Sequence, residues 1–439
     1  MAENTGKPIE SAPPGKSPSA AFQLRYAGRD AAAGIITGTM AIPLSVGIAM
    51  MSDYPIKVGL ATVVFASLIG WFFSWFRPGN YIGSPGIAAG LAPVLALGVS
   101  SFGLENMAFC IFLTAVMQAV IWKYNWQRYL LVAVPVYLIE GLLAGVGLKI
   151  FFKFFTFTYE VLPGAEQVET FLTMARIQML LISTVAFAGF IFLFTKFREK
   201  QPAIPYFVLI LSSVVFALFV PVPMLQIEDV DLRLALPLPQ VDSVIILVYM
   251  FAFCLMLAVI DVIEQVMSNA AIEKIDPLGR KCDSNNSLLA IWVANLGSSF
   301  FGGMTNLDGL AKSTTNRLAG AYTKFSLLFI ALVVGFFTIK VEYLQFLPKF
   351  SLAAIMMFSG YKMVVGLLHV TQYGRYALIL ATLCGGLVYA VGIFEGLLIA
   401  MAVHGAIHFL VYTRNENIPG KEVVKRYFEN LKKDSSKFS

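Results

Sequence analysis

Four polar side chains, Asp261, Glu264, Gln265 and Ser268, recur at i, i+3, i+4 and i+7 within an apolar run and so share one helix face. Two carboxylates in such a run are costly unless they line a wet cavity or meet a cation. That face therefore has the chemistry of a site for Na⁺ or a proton. A base, Lys312, lies in the polar stretch Gly302-Gly-Met-Thr-Asn-Leu-Asp-Gly-Leu-Ala-Lys-Ser313, with Asp308 four residues before it. If a helix begins there, Asp308 has two uses: an N-cap, or an intrahelical partner for Lys312. A second polar stretch, Arg77-Pro-Gly-Asn-Tyr-Ile-Gly-Ser-Pro-Gly86, interrupts the apolar pattern at the corresponding place in the first half of the chain. There Ser84 suits an N-cap and Pro85 a first helical residue, and Gly83 and Gly86 permit close backbone approach to a solute.

These residues must be held by membrane segments. Of the 439 residues 58% are hydrophobic and 13% charged, with mean hydropathy +0.76, which excludes a soluble domain around one core. The net charge of +6 sits in loops, so membrane topology rather than nucleic acid accounts for it. The four cysteines, Cys110, Cys254, Cys282 and Cys384, have no disulfide or zinc spacing. His404 and His408 stand at i, i+4 without a supporting ligand pattern, so no metal site is expected. Glu140 is an isolated acid in the fifth apolar segment. No phosphate loop, nucleophile arrangement or zinc motif points to an enzyme or a bound cofactor.

Continuous apolar runs of about bilayer length lie near 31–50, 58–76, 106–122, 130–152, 177–195 and 204–221, then near 243–268, 287–301, 325–340, 344–361, 376–393 and 395–413. The interrupted segments near 80–101 and 304–322 bring the total to fourteen, seven per half. The expected fold is an all-α polytopic membrane protein of two inverted seven-segment repeats, with half-helices in segments 3 and 10. Its divisions are a disordered cytoplasmic tail (1–29), a first repeat (30–221), a link (222–242), a second repeat (243–413) and a short basic cytoplasmic tail (414–439). Loop charge fits both ends inside. Arg77, Lys123, Arg128, Lys196, Arg198, Lys200, Lys274, Arg280, Lys281, Lys362 and Arg375 fall on one side. Glu105, Glu160, Glu166, Glu169, Glu228, Asp229 and Asp231 fall on the other.

Backbone freed from helix inside a bilayer must be buried in protein or line a cavity, and two half-helices aim positive dipole ends at a bound solute. An anion suits such a site. Thr305 in the second break adds a hydroxyl. Pro43 in the first span is expected to kink it and free a carbonyl, with Ser45 and Thr39 close by. A hydroxyl in a membrane helix also commonly back-bonds to its own helix.

Several stretches resemble SulP-type anion transporters. Ala258-Val-Ile-Asp-Val-Ile-Glu264, Asp283-Ser-Asn-Asn-Ser-Leu-Leu-Ala290 and Val293-Ala-Asn-Leu-Gly-Ser-Ser-Phe-Phe-Gly-Gly303 are similar to that family's eighth-to-ninth span region. Gly309-Leu-Ala-Lys-Ser-Thr-Thr-Asn-Arg-Leu-Ala-Gly-Ala321 resembles its next segment, Ala41-Ile-Pro-Leu-Ser45 its first span, and Gly141-Leu-Leu-Ala-Gly-Val-Gly147 its fifth. The resemblance implies a secondary transporter of a small anion (bicarbonate, sulfate or dicarboxylate), coupled to Na⁺ or H⁺. It implies one moving bundle of spans 1–4 and 8–11 against a scaffold of spans 5–7 and 12–14. A homodimer in a bacterial inner membrane is the expected assembly. It puts Asp261 at the coupling ion, with Glu264, Gln265 and Thr305 beside it. Lys312 stands at a common family arginine, near the anion, with Pro43, Ser45, Ser84, Pro85, Gly86, Asp308 and Gly309. Asp308 departs from the family's small or neutral residue. A single lysine partly offset by Asp308 favours a small monovalent anion, bicarbonate before others. The chain also stops before the usual STAS domain. Nucleobase permeases share the architecture and use acids in the same two helices, so that class is an alternative, as is a passive anion channel.

Overall fold

The computed structural model describes residues 20–133, 135–157, 174–197, 201, 204–228, 230–415, 419, 421–426 and 429. The loop acids Glu160, Glu166, Glu169 and Asp229, the bases Arg198 and Lys200, and residues 1–19 of the expected tail lie outside them.

Fifteen α-helices occur among the described residues. In the first half they are α1 (Ala27–Met51), α2 (Ile56–Phe73), α3 (Ala92–Phe102), α4 (Leu104–Lys123), α5 (Gln127–Ala133), α6 (Val136–Phe157), α7 (Met174–Phe197) and α8 (Ile204–Phe219). In the second they are α9 (Val244–Ile275), α10 (Ser284–Ser299), α11 (Leu310–Leu318), α12 (Ser326–Ile339), α13 (Lys349–Gly366), α14 (Arg375–Ala390) and α15 (Ile393–Asn415). The fifth expected segment is divided: Pro135 cannot donate into a continuing helix, and its carbonyl instead receives the first amides of α6. With α5 and α6 taken together, the helices form fourteen segments.

The halves pack in the same pattern with their roles exchanged. Helix α4 lies against α9 and α10, while α12 lies against α1 and α2. Exchange of α1–α4 for α9–α12 carries the contact of α1 with α12 into that of α9 with α4, α2 with α12 into α10 with α4, α1 with α11 into α9 with α3, and α1 with α3 into α9 with α11, as an inverted repeat requires. Helices α1–α4 and α9–α12 pack chiefly with one another, and α6–α8 with α13–α15 form a second group. In that second group the glycine ridge of α6 carries the packing. A Cβ at Gly141, Gly145 or Gly147 would run into the carbonyls of Ala381, Gly385 or Gly360. These glycines bring α6 into backbone contact with α14 and α13.

The two short helices position the site. Helix α3 has 11 residues and α11 has 9, each about half the length needed to cross a hydrocarbon core. Each is preceded by a two-residue strand, β1 (Pro85–Gly86) and β2 (Leu307–Asp308), and the strands pair antiparallel, Pro85 with Asp308 and Gly86 with Leu307. This corrects the expected start of the first half-helix. Ser84 is no N-cap and Pro85 no first helical residue; α3 begins seven positions later, with Leu91 as N-cap. Neither is Asp308 an N-cap: Gly309 is, and α11 begins at Leu310. Strand pairing wins in both places because it satisfies two broken backbones at once.

A further correction concerns the amino-terminal segment. Of the expected disordered tail, residues 20–29 are ordered: Ala20 and Ala21 are buried, and helix is established by Ala27. The Lys324 amide donates to the Ala20 carbonyl at 2.6 Å, and Tyr26 stacks on Tyr322 at 4.3 Å. Buried Asp30 receives the amides of Tyr322 and Thr323 at 2.7 and 3.1 Å. Toward the other end, residues 421–426 of the basic tail are helical. Helix α1 runs unbroken through buried Pro43 and Ser45, leaving the Thr39 carbonyl without its usual donor. The Thr39 hydroxyl back-bonds to Ile35 at 2.9 Å.

Candidate functional site

The paired strands cross where the two bundles of backbone leave helix, and polar side chains from five elements complete their hydrogen bonding. On the first break, the Ser84 amide donates to Ser313 Oγ at 3.0 Å and the Gly83 amide to Asn80 Oδ1 at 2.7 Å. Asn316 Nδ2 donates to the Ile82 carbonyl at 3.2 Å, and the Gly309 amide to the Ser84 carbonyl at 3.1 Å. On the second, the amides of Met304, Asn306 and Asp308 donate to Thr62, Asn295 and Gln265. This explains why α11, Leu-Ala-Lys-Ser-Thr-Thr-Asn-Arg-Leu, is so polar for a buried membrane helix: its side chains replace the water that irregular backbone would need.

Lys312 is 2% exposed and folds back over its own N-cap, with Cε close to Gly309. Its ammonium reaches β1: a Cβ on Gly86 would collide with Nζ. Gly86 also has φ +148°, a conformation L-residues rarely adopt, so both the backbone and the space require glycine here. The polar contact of Nζ is the Ile87 carbonyl at 3.5 Å, and among the described residues Lys312 forms no ion pair. Asp308 forms no ion pair with it. The expected Asp308–Lys312 pair is replaced by a contact between Asp308 Oδ1 and Lys324 Nζ at 4.0 Å. What remains over Gly86 is a buried positive charge at the N-terminus of α11, facing the strand crossing.

Two carboxylate networks run along α9. The upper one centres on Asp261, fully buried, whose Oδ2 accepts from Gln118 Nε2 at 2.6 Å and Asn295 Nδ2 at 3.2 Å. Asn295 in turn receives the Asn306 amide at 2.7 Å. Asp261 Oδ1 has no partner, and the same is true of Glu264 Oε2, Thr305 Oγ1 and Asn306 Oδ1. Glu264 packs against Gly90, one residue before the N-cap of α3, so its carboxylate lies by that helix's positive end. These oxygens are hard donors of the kind that Na⁺ or a proton accepts. The lower network centres on Asp308. Its Oδ2 accepts from Asn80 Nδ2 at 2.7 Å, Gln265 Nε2 at 2.9 Å and Ser287 Oγ at 3.0 Å. Gln265 therefore serves Asp308, bonding its carboxylate and its backbone amide together.

Sequence reasoning did not single out Gln118, Asn295, Asn306, Asn80, Ser287 or Lys324. A signal existed for Gln118, an amide well inside α4, whose other amide, Asn106, stands near the helix start, and for Asn295, inside the Val293–Gly303 motif. The pair His404 and His408 lies elsewhere, on α15. His404 Nδ1 stands 3.0 Å from the Tyr137 hydroxyl and 3.1 Å from that of Tyr376. Among the described residues no three metal-ligating side chains cluster.

A half-helix pair crossing at two strands, with a buried lysine on one side and unpartnered carboxylate oxygens on the other, is the arrangement of a membrane carrier. The chain matches the sulfate permease family over residues 28–395 and belongs to it. It is 25% identical over 363 residues to "Putative sulfate transporter YvdB" of Bacillus subtilis (strain 168), with 78% of this chain and 66% of that protein covered. The chain thus spans about two thirds of the length of that curated relative. Among solved structures it is similar to the transmembrane domain of a cyanobacterium bicarbonate transporter, BicA, with TM-score 0.68, 17% identity, and coverage of 87% of this chain and 98% of that one. It is also similar to SLC26A9, with TM-score 0.70, 15% identity, and coverage of 89% and 66%. The fold is the all-α membrane architecture of two inverted seven-segment repeats, and the family consists of transporters rather than enzymes.

Proposed function

We propose that the chain is a secondary active transporter of a small anion, bicarbonate before sulfate or a dicarboxylate, driven by Na⁺ or H⁺. The observation that carries this reading is Lys312: a buried ammonium over Gly86 with no ion-pair partner among the described residues. A buried charge left uncompensated by the protein is stabilised by a solute of opposite sign. One net positive charge with the α11 amides suits a monovalent anion. The likeness to the transmembrane domain of a bicarbonate transporter favours the same substrate. The unpartnered oxygens of Asp261, Glu264, Thr305 and Asn306 supply the coupling-ion side.

Transport follows alternating access. The bundle of α1–α4 and α9–α12 carries the crossing strands and moves against α6–α8 and α13–α15. The repeats are taken as 30–221 and 243–413 about the 222–242 link. The assembly proposed is a homodimer in a bacterial inner membrane, with both termini cytoplasmic. Asp308 weakens the nucleobase-permease alternative, since its Oδ2 already takes Asn80, Gln265 and Ser287, and Lys324 lies 4.0 Å from its Oδ1.

The test is uptake into proteoliposomes with labelled bicarbonate, sulfate, succinate and uracil, with and without imposed Na⁺ or pH gradients. Concentrative bicarbonate uptake that requires one of the gradients is expected. Anion uptake that only ever equilibrates would make the protein a channel, and uracil uptake would make it a nucleobase permease.

A further inference from the structure

Asp308 sits in a built environment. It is 2% exposed, its Oδ2 takes three donors, and its backbone amide is bonded by the same Gln265 that bonds its carboxylate. Asn80 belongs to the approach to β1, Gln265 and Asn269 to α9, Ser287 to α10, and Lys324 to the loop between α11 and α12. Asn80 also holds the Gly83 amide, so the one side chain fixes both the first break and the carboxylate of the second. From there the bonding continues outward. The Asp283 amide donates to the Gly79 carbonyl at 2.6 Å, beside half-buried Cys282, and Lys324 holds the Ala20 carbonyl through its own amide.

We propose that Asp308 and Lys324 form a positioning pair: together they register both crossing strands against α9, aim Lys312 at the solute, and relieve Lys312 of an internal partner. Asp308 itself touches neither anion nor coupling ion. This rests on the anion-transporter reading. The physical reason lies in charge bookkeeping within a membrane interior. A buried aspartate without a base would offset Lys312 and flatten the positive potential at the crossing. Lys324, 4.0 Å from Asp308 Oδ1, offsets part of the aspartate's charge, so more of the Lys312 charge stays available at the crossing.

The experiment compares Asp308→Asn, Lys324→Gln and the double variant with wild type. Three quantities are read: KM and Vmax for labelled bicarbonate and sulfate in proteoliposomes, the thermal unfolding midpoint in detergent, and the alkylation rate of Cys282 by a maleimide. The other three cysteines are buried and serve as internal controls. Each single change strands a buried charge or breaks the cradle, and is expected to raise KM about tenfold and to speed Cys282 alkylation by a similar factor. The double variant is expected to return to within about threefold of wild type on all three measures. A double variant with restored thermal midpoint but KM still as high as in Asp308→Asn would place Asp308 on the solute and overturn the proposal. Should wild type transport neither anion, the anion reading itself fails. The pair is then judged on the other two measures: strong non-additivity upholds it, and additive losses in midpoint and alkylation overturn it.

Discussion

Two buried aspartates are presented by neighbouring elements and solvated in the same manner, yet they are left in opposite states. Asp261 and Asp308 each accept amide donors from neighbouring elements, Gln118 and Asn295 for one, Asn80 and Gln265 for the other. Amides solvate a carboxylate without neutralising it. The Asp308 network adds Ser287 at Oδ2 and a buried lysine 4.0 Å from Oδ1, an oxygen that takes no hydrogen bond. The Asp261 network stops short: Oδ1 faces no donor, and no base pairs with it among the described residues. A carboxylate kept inside a membrane protein with no base beside it suits a cation that comes and goes. A carboxylate with a resident lysine is part of the framework. Counting acids along α9 and β2 would treat the two alike; only their partners separate them.

The sharpest way to break this comparison is Asp261→Asn. Asparagine fills the same volume and keeps an acceptor for Gln118, so the fold and the expression level should survive. The charge a cation needs is gone, and gradient-driven accumulation should collapse to the equilibrium level in proteoliposomes. A variant that still concentrates substrate with unchanged cation dependence would place coupling elsewhere. Next in size is Lys312→Gln. A desolvated charge contact contributes about 1.5–3 kcal/mol, so anion affinity should fall roughly ten- to hundred-fold. Since Lys312 has no internal ion-pair partner to strand, its loss should leave the thermal midpoint near wild type. A large drop in the midpoint with unchanged KM would instead mark Lys312 as a framework residue like Lys324.

The contrast also shows what the sequence could reveal. Segment number and order were legible because the apolar runs approach the length of a bilayer span and polar breaks separate them. So was the family, through Ala258–Glu264 and the motifs that follow. The site was legible as a set of residue types and illegible as a set of contacts. Ser84-Pro85-Gly86 reads locally as a helix start, and the strand it forms depends on Leu307 and Asp308, more than two hundred residues away. Asp308 and Lys312 have ideal intrahelical spacing, but spacing presumes a helix that already includes Asp308. The helix begins two residues later, and Lys324 arrives from the next loop. Glycines divided the same way. Those of Gly141–Gly147 carry packing against α13 and α14, whereas Gly86 makes room for an ammonium, and no local pattern distinguishes the two uses.

The smallest expected effect sharpens the comparison most finely, at Thr305. Its hydroxyl is buried without a hydrogen-bond partner, one residue before Asn306, which is bonded to the Asp261 network through Asn295. A buried hydroxyl left idle costs stability, so Thr305→Val, which keeps the shape and removes the oxygen, should be neutral or slightly stabilising if the position is structural. If the oxygen completes the cation shell with Asp261, the same change removes one neutral ligand. A contact of that kind contributes about 0.5–1.5 kcal/mol, so the half-saturating cation concentration should rise by roughly two- to tenfold. The anion KM, measured at saturating cation, should not move, because Lys312 and the α11 amides are untouched. Thermal unfolding with and without the cation supplies an independent reading: the stabilisation conferred by a fixed cation concentration should shrink in the variant. Unchanged cation dependence in both assays would remove Thr305 from the shell and leave the free oxygens of Asp261, Glu264 and Asn306 to account for coupling.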